Sequence, residues 1–120
     1  RQDRHSGCLR PADRYINYYS ITGGKVLEYH FLVNYCYNGS VLVGIPTRSH
    51  YIKSFTVGMV DKGFTSNSLT WCNTKHTCGN LVLQGYWQQC ILKIGCLADG
   101  HPLSKWAIYG DGNYTYSPRA

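Results

Sequence analysis

The chain has 120 residues, a formal net charge of +6, six cysteines, 11 tyrosines, three tryptophans and only six carboxylates. That length suits one domain with one modest core, and its apolar runs are far shorter than the roughly 18 residues of a membrane helix. The carboxylates, Asp3, Asp13, Glu28, Asp61, Asp99 and Asp111, are too scattered to form a two-carboxylate glycosidase motif.

The chain opens Arg1-Gln2-Asp3-Arg4, with neither methionine nor an apolar signal region, and the expectation is that a leader is removed. Residues 1–14 carry Arg1, Arg4, Arg10 and Arg14 and little apolar material beyond Cys8 and Leu9, so they read as an N-terminal arm. Such an arm suits docking to a partner, with main-chain hydrogen bonds giving affinity and arginines giving orientation. The remaining bases are spread singly, unlike the dense stripe of a nucleic-acid protein, and nucleic-acid binding is not expected.

Residues 15–120 read as a single β domain. Tyr15 to Ile21 forms one predicted strand, and Thr22-Gly23-Gly24-Lys25 turns into a long second strand over residues 26–37. On that strand Leu27, Tyr29, Phe31, Val33, Tyr35 and Tyr37 share one parity, and Glu28, His30 and Asn34 share the other. This period of two predicts one buried face. Three tyrosines on that parity exceed what a small core readily satisfies, so Tyr29, Tyr35 and Tyr37 become candidate partner contacts. His30, on the polar parity, reads as a surface or packed histidine. Asn38-Gly39 is a favoured two-residue turn into the apolar run Ser40 to Ile45, predicting a β-hairpin. Further strands are expected over residues 51–60, 81–90 and 105–109, with Gly110-Asp111-Gly112-Asn113 as a tight turn into Tyr114-Thr115-Tyr116. No segment carries a sustained helical period. The expected fold is all-β, a small antiparallel sandwich or partly open barrel stapled by disulfides.

Cysteine usage supports that class, because small secreted domains supplement limited cores with disulfides. Spacing favours Cys72 with Cys78 across a polar loop, leaving Cys36 as the partner of Cys8. Cys90 can join Cys96 only if the chain turns between them, since six extended residues span about 20 Å. A crossed arrangement joining Cys72 or Cys78 to Cys90 or Cys96 stays open. The C-x5-C spacing is wider than a zinc knuckle, even with His76 and His101 as added ligands. Asp111, Asn113 and Thr115 match the start of a calcium loop but have no downstream glutamate. No metal or other cofactor is therefore expected.

No serine occupies a G-x-S-x-G elbow, and the neighbours Ser49 and His50 point to opposite faces of a strand, so no catalytic residue is assigned. Trp71, Trp87 and Trp106, with Gln84, Gln88, Gln89, Asn73 and Asn80, offer a lectin-like alternative in which a glycan is bound by stacking and hydrogen bonding. A free-standing antimicrobial toxin is a second alternative. Asn38-Gly39-Ser40 and Asn113-Tyr114-Thr115 are sequons that matter only in a glycosylating host.

The combination Tyr35-Cys36-Tyr37-Asn38-Gly39-Ser40, Gln89-Cys90 to Gly95-Cys96, His101-Pro102 and Gly110-Asp111-Gly112 resembles small secreted actinobacterial β-proteins over roughly residues 35–113. A functional relative among them is the adaptor subunit of the umbrella-shaped toxin particles of streptomycetes. The resemblance implies a secreted, non-catalytic adaptor that links a toxin subunit to a lectin-bearing subunit. The expected partner is another secreted protein.

Overall fold

The computed structural model describes residues 6–8, 12–44 and 47–120. It is all-β, with no helix among these residues, and elongated, measuring 61 × 26 × 19 Å. The N-terminal strand β1 (Ser6–Cys8) pairs with β4 (Cys36–Asn38) as a small separate ribbon. A three-stranded antiparallel sheet is ordered β2-β3-β5, from β2 (Ala12–Tyr19), β3 (Lys25–Asn34) and β5 (Thr47–Ser54). The third sheet is built on β7 (Cys78–Ile91), which pairs along one edge with β6 (Met59–Trp71). Along its other edge β7 meets first β9 (Leu103–Tyr109) and then β8 (Gly95–Gly100), while β10 (Tyr114–Arg119) lies outside β9.

The two larger sheets face each other as a sandwich. From β3 come Leu27, Tyr29, Phe31 and Val33, followed by Tyr35, and from the opposite sheet come Leu81, Leu83, Trp87, Trp106 and Ile108. The period of two on β3 therefore selects the buried face as expected. Polar atoms of the core are partly answered within it: the Trp106 indole N–H donates to Ser104 Oγ at 3.0 Å, and the Tyr35 hydroxyl donates to the Gly112 carbonyl at 2.9 Å. Tyr29 fits because position 85 is glycine, where a Cβ would sit within 2.1 Å of the Tyr29 hydroxyl oxygen. Polar contacts close the two seams. Arg14 donates to the Tyr114 hydroxyl at 2.9 Å on one side, and His50 Nε2 meets Asp61 Oδ2 at 2.8 Å on the other.

All six sulfurs are committed to disulfides, Cys8–Cys36, Cys72–Cys78 and Cys90–Cys96, so the crossed arrangement does not occur. The first and last join residues directly opposite one another on paired strands. Leu92 to Ile94 supply the turn that Cys90–Cys96 requires, closed by the Ile94 N–H on the Ile91 carbonyl at 3.0 Å.

Several expected boundaries move. The chain breaks at Tyr35, dividing the long strand into β3 and β4, and the run after Asn38-Gly39 contributes only the single bridge Tyr37–Leu42. The turn itself forms, with Asn38 Oδ1 accepting the N–H groups of Ser40 and Val41, but β4 takes β1 as its strand partner. Ile45 lies outside the described residues. The segment 51–60 holds the end of β5, a turn and the start of β6, because Gly58 adopts a left-handed φ of 82°. Within the expected arm, residues 6–8 form β1 and Ala12, Asp13 and Arg14 belong to β2.

Burial raises the ionisation of Tyr29 and Tyr35 far above the ordinary tyrosine range and pushes Tyr116 up to about 12. The neutral phenols are favoured in the folded state, so their contribution is complete below the ordinary value of about 10 and is lost as the pH rises beyond it. Spectrophotometric titration is expected to show exposed tyrosines ionising first and this buried set ionising only with unfolding. A single transition near pH 10 for all 11 residues would contradict this packing.

Candidate functional site: a tyrosine–histidine platform

The outer face of the three-stranded sheet carries the parity that the core leaves out. Antiparallel register sets Tyr15 of β2 beside His30 of β3, and His30 beside Tyr51 of β5, in one cross-strand row. The three rings stack, with centroids 4.8 Å apart for Tyr15–His30 and 4.3 Å for His30–Tyr51. His30 in the middle is buried beneath its neighbours, whereas Tyr15 and Tyr51 are 50% and 40% exposed. Tyr19, at the end of β2 beyond a register shift, is also exposed.

Carboxylates on either side fix the row. His30 Nδ1 lies 2.6 Å from Asp13 Oδ1, and His30 Nε2 lies 2.8 Å from Glu28 Oε1. Carboxylates only accept, so both contacts are hydrogen bonds together only when the ring is an imidazolium and both nitrogens donate. The Tyr51 hydroxyl donates to Asp13 Oδ2 at 3.0 Å, and the Lys25 ammonium donates to Glu28 Oε2 at 2.9 Å. Both ring nitrogens of His30 are thereby occupied, which suits a positioning role for the imidazole and leaves it no free nitrogen to act as a base.

The Lys25 ammonium first, and His30 second, hold the Glu28 carboxyl below the ordinary glutamate range. The stabilisation from this depressed carboxyl is complete above about pH 4.3 and is lost as the pH falls through the lower folded value. Thermal unfolding at about pH 7 and about pH 3 is therefore expected to show a smaller acid-induced drop for Glu28→Gln than for the native chain. An equal drop would remove Glu28 from the network.

The residues expected to meet a partner fall elsewhere. Tyr29 and Tyr35 are fully buried, because their parity faces the second sheet, and they are not surface residues. Tyr37 is half-buried with its ring against Gly112, where a Cβ would lie within 2.6 Å. Arg14 is turned to the seam, its guanidinium over the Tyr114 and Tyr116 rings. Arg1, Arg4 and Arg10 lie outside the described residues. The exposed tyrosines come instead from β2 and β5. Their signal in the sequence was the polar parity of Glu28 and His30, which lacked its neighbours until the register was known.

Other candidates are also placed. Trp87 and Trp106 are buried and cannot stack on a sugar; Trp71 remains partly open, but His76 stacks on it at 3.9 Å. His101 stacks on Tyr86 at 4.6 Å. Asp111 turns back on its own loop, accepting the Asn113 backbone and side-chain N–H groups at 3.0 Å each. His50 is held between Tyr29 and Phe64, with ring centroids at 5.4 and 4.5 Å, and bonded to Asp61 rather than directed at Ser49. No family model, characterised protein or solved structure matches the chain.

Proposed function

We propose that this protein is a secreted, non-catalytic binding module that engages another secreted protein, as an accessory or adaptor component of an extracellular, toxin-like assembly. The observation that carries the reading is the Tyr15–His30–Tyr51 row, with both tyrosines exposed and the buried His30 held on either side by Asp13 and Glu28. Tyrosine is enriched at the centres of protein interfaces, where a large ring with few torsions adds contact area at low entropic cost. Here the rings are held before any partner arrives, which reduces the ordering cost of association. Three disulfides suit an oxidising extracellular setting, and no helix is long and apolar enough to cross a membrane among the described residues.

The test is recovery of the tagged full chain from the secreted fraction of its native host, with mass spectrometry of whatever co-purifies. A stoichiometric protein partner is expected with the native chain and is expected to be lost with the Tyr15→Ala/Tyr51→Ala double variant. Recovery as a monomer alone would reject the adaptor reading. Killing of target cells by the purified monomer would favour a free-standing toxin. Glycan binding abolished by Trp71→Ala would favour the lectin-like alternative.

A further inference from the structure

One end of the sandwich is apolar in a way that neither the core nor the tyrosine platform uses. Three turns meet there: residues 20–24 between β2 and β3, residues 55–58 between β5 and β6, and residues 92–94 between β7 and β8. Backbone bonds tie them together. The Phe55 N–H donates to the Val26 carbonyl at 2.9 Å, and the Cys90 N–H donates to the Gly58 carbonyl at 2.8 Å. The Gln89 side-chain amide adds a bond to the Val57 carbonyl at 3.2 Å, and the Cys90–Cys96 disulfide braces the furthest turn.

This rigid end presents Ile21, Phe55, Val57, Leu92, Ile94 and Leu97 to solvent. Leu92, Val57 and Ile94 are 87%, 75% and 67% exposed, on loop tips whose backbones are tied by the Ile94 N–H to the Ile91 carbonyl and by the Gln89 amide to the Val57 carbonyl. The segments 20–26, 53–60 and 90–98 contain Lys25, Lys53 and Lys93 and no aspartate or glutamate. Two of those ammonium groups, on Lys25 and Lys53, lie 5.6 Å from the centre of the Phe55 ring. The segments also contain no Tyr, Trp or Arg.

We propose that this end is a membrane-docking tip that inserts its apolar loop residues into the headgroup boundary of an anionic lipid bilayer. The composition decides between lipid and protein. Protein interface centres are enriched in Tyr, Trp and Arg and depleted in Lys, the reverse of what stands here. Aliphatic side chains and phenylalanine flanked by lysines match an interfacial lipid anchor, in which apolar groups enter the acyl boundary and ammonium groups stay with anionic headgroups. Lys25 is paired with Glu28 at 2.9 Å, and Asp61 and Asp99 follow directly on two of the segments, so Lys53 and Lys93 supply the tip's complementary charge. The protein would lie on the bilayer by this end, without spanning it, while the platform on the side of the three-stranded sheet stays free. The tip thus stands independently of the adaptor reading.

The experiment is co-sedimentation of the oxidised full chain with phosphatidylcholine vesicles, with or without about a quarter phosphatidylglycerol. Binding is expected to the anionic vesicles, at least about tenfold weaker to the neutral ones, and weakened by raising the salt, because screening acts on the lysines. Leu92→Asp/Ile94→Asp is expected to abolish it. Each of Lys53→Gln and Lys93→Gln is expected to weaken it about fivefold, the scale of one basic residue at an anionic surface, and Lys25→Gln less, because Glu28 already neutralises that ammonium. These side chains are exposed, and an unchanged thermal midpoint checks that each variant folds. No binding to anionic vesicles at low salt overturns the proposal, as does binding that survives the Leu92→Asp/Ile94→Asp change or is equal on neutral vesicles. Loss of a protein partner from that variant without any vesicle binding would assign the tip to protein instead, and so would also overturn it.

Discussion

Replacing Tyr29 by alanine is expected to destabilise the protein by about 3–5 kcal/mol, the cost of removing a fully buried aromatic ring from a core that cannot close over the gap. Tyr29 sits at the centre of the sandwich, with its ring centroid 5.1 Å from that of Phe31 and 5.4 Å from that of His50, and its hydroxyl end over Gly85. Both sheets therefore lose a contact at once. Tyr51→Ala, one strand away, is expected to behave in the opposite manner. Its ring lies on the outer face, so the unfolding midpoint stays close to that of the native chain, while partner affinity falls at least about thirtyfold, the scale of an interface hot spot. Denaturant unfolding and binding measured on the same two variants separate the roles. Equal losses of stability would place Tyr51 in the core, and unchanged affinity for Tyr51→Ala would remove the platform from recognition.

Removing Cys8–Cys36 with paired serines is expected to cost about 3–4 kcal/mol, against about 2–3 kcal/mol for Cys90–Cys96, if restriction of the unfolded chain dominates. The first bridge spans a sequence separation of 28 and the second only 6, so the first denies the unfolded chain more freedom. Location adds to the difference. Cys8–Cys36 pins β1 to β4, a ribbon of two three-residue strands. Cys90–Cys96 braces a hairpin whose strands are already paired behind it, from Gln89–Ala98 to Trp87–Gly100, across a register shift next to Cys90. Chemical denaturation of the two double variants is the measurement, and the reverse order of stability would show that native packing outweighs chain entropy here. The Cys90–Cys96 variant carries a second expectation, a looser apolar tip and weaker vesicle binding with the platform intact.

The candidate site was less legible than the fold because the two depend on different ranges of information. Alternation on β3 is local, and it identified Leu27, Tyr29, Phe31 and Val33 as one face from the sequence alone. What alternation lacks is a measure of how completely that face is covered. Three tyrosines on that face suggested excess phenol that a partner would cover, yet the second sheet buries Tyr29, over glycine at position 85, and Tyr35, whose hydroxyl donates to the Gly112 carbonyl, while the Tyr29 hydroxyl has no hydrogen-bond partner among the described residues. His30 was legible only as a histidine on a polar parity. Its partners Asp13, Tyr15 and Tyr51 lie 15 to 21 residues away in the chain, and register alone brings them together. The two ends of the segment 51–60 were likewise misjudged, because a β-rich composition continues through a turn that only the backbone at Gly58 reveals.

By itself, the sequence determined what short-range chemistry can determine: an all-β class from the period of two, and turns at Gly and Asn. The tertiary structure decided how completely the apolar parity of β3 is covered, which cysteines pair, which strand β4 takes as partner, and that three apolar turns from distant parts of the chain share one lysine-flanked end. The physical reason is that alternation fixes a strand's two faces relative to each other, whereas burial and assembly are set by whichever strands and sheets lie opposite. Those neighbours are chosen by long-range pairing and packing that no local pattern encodes.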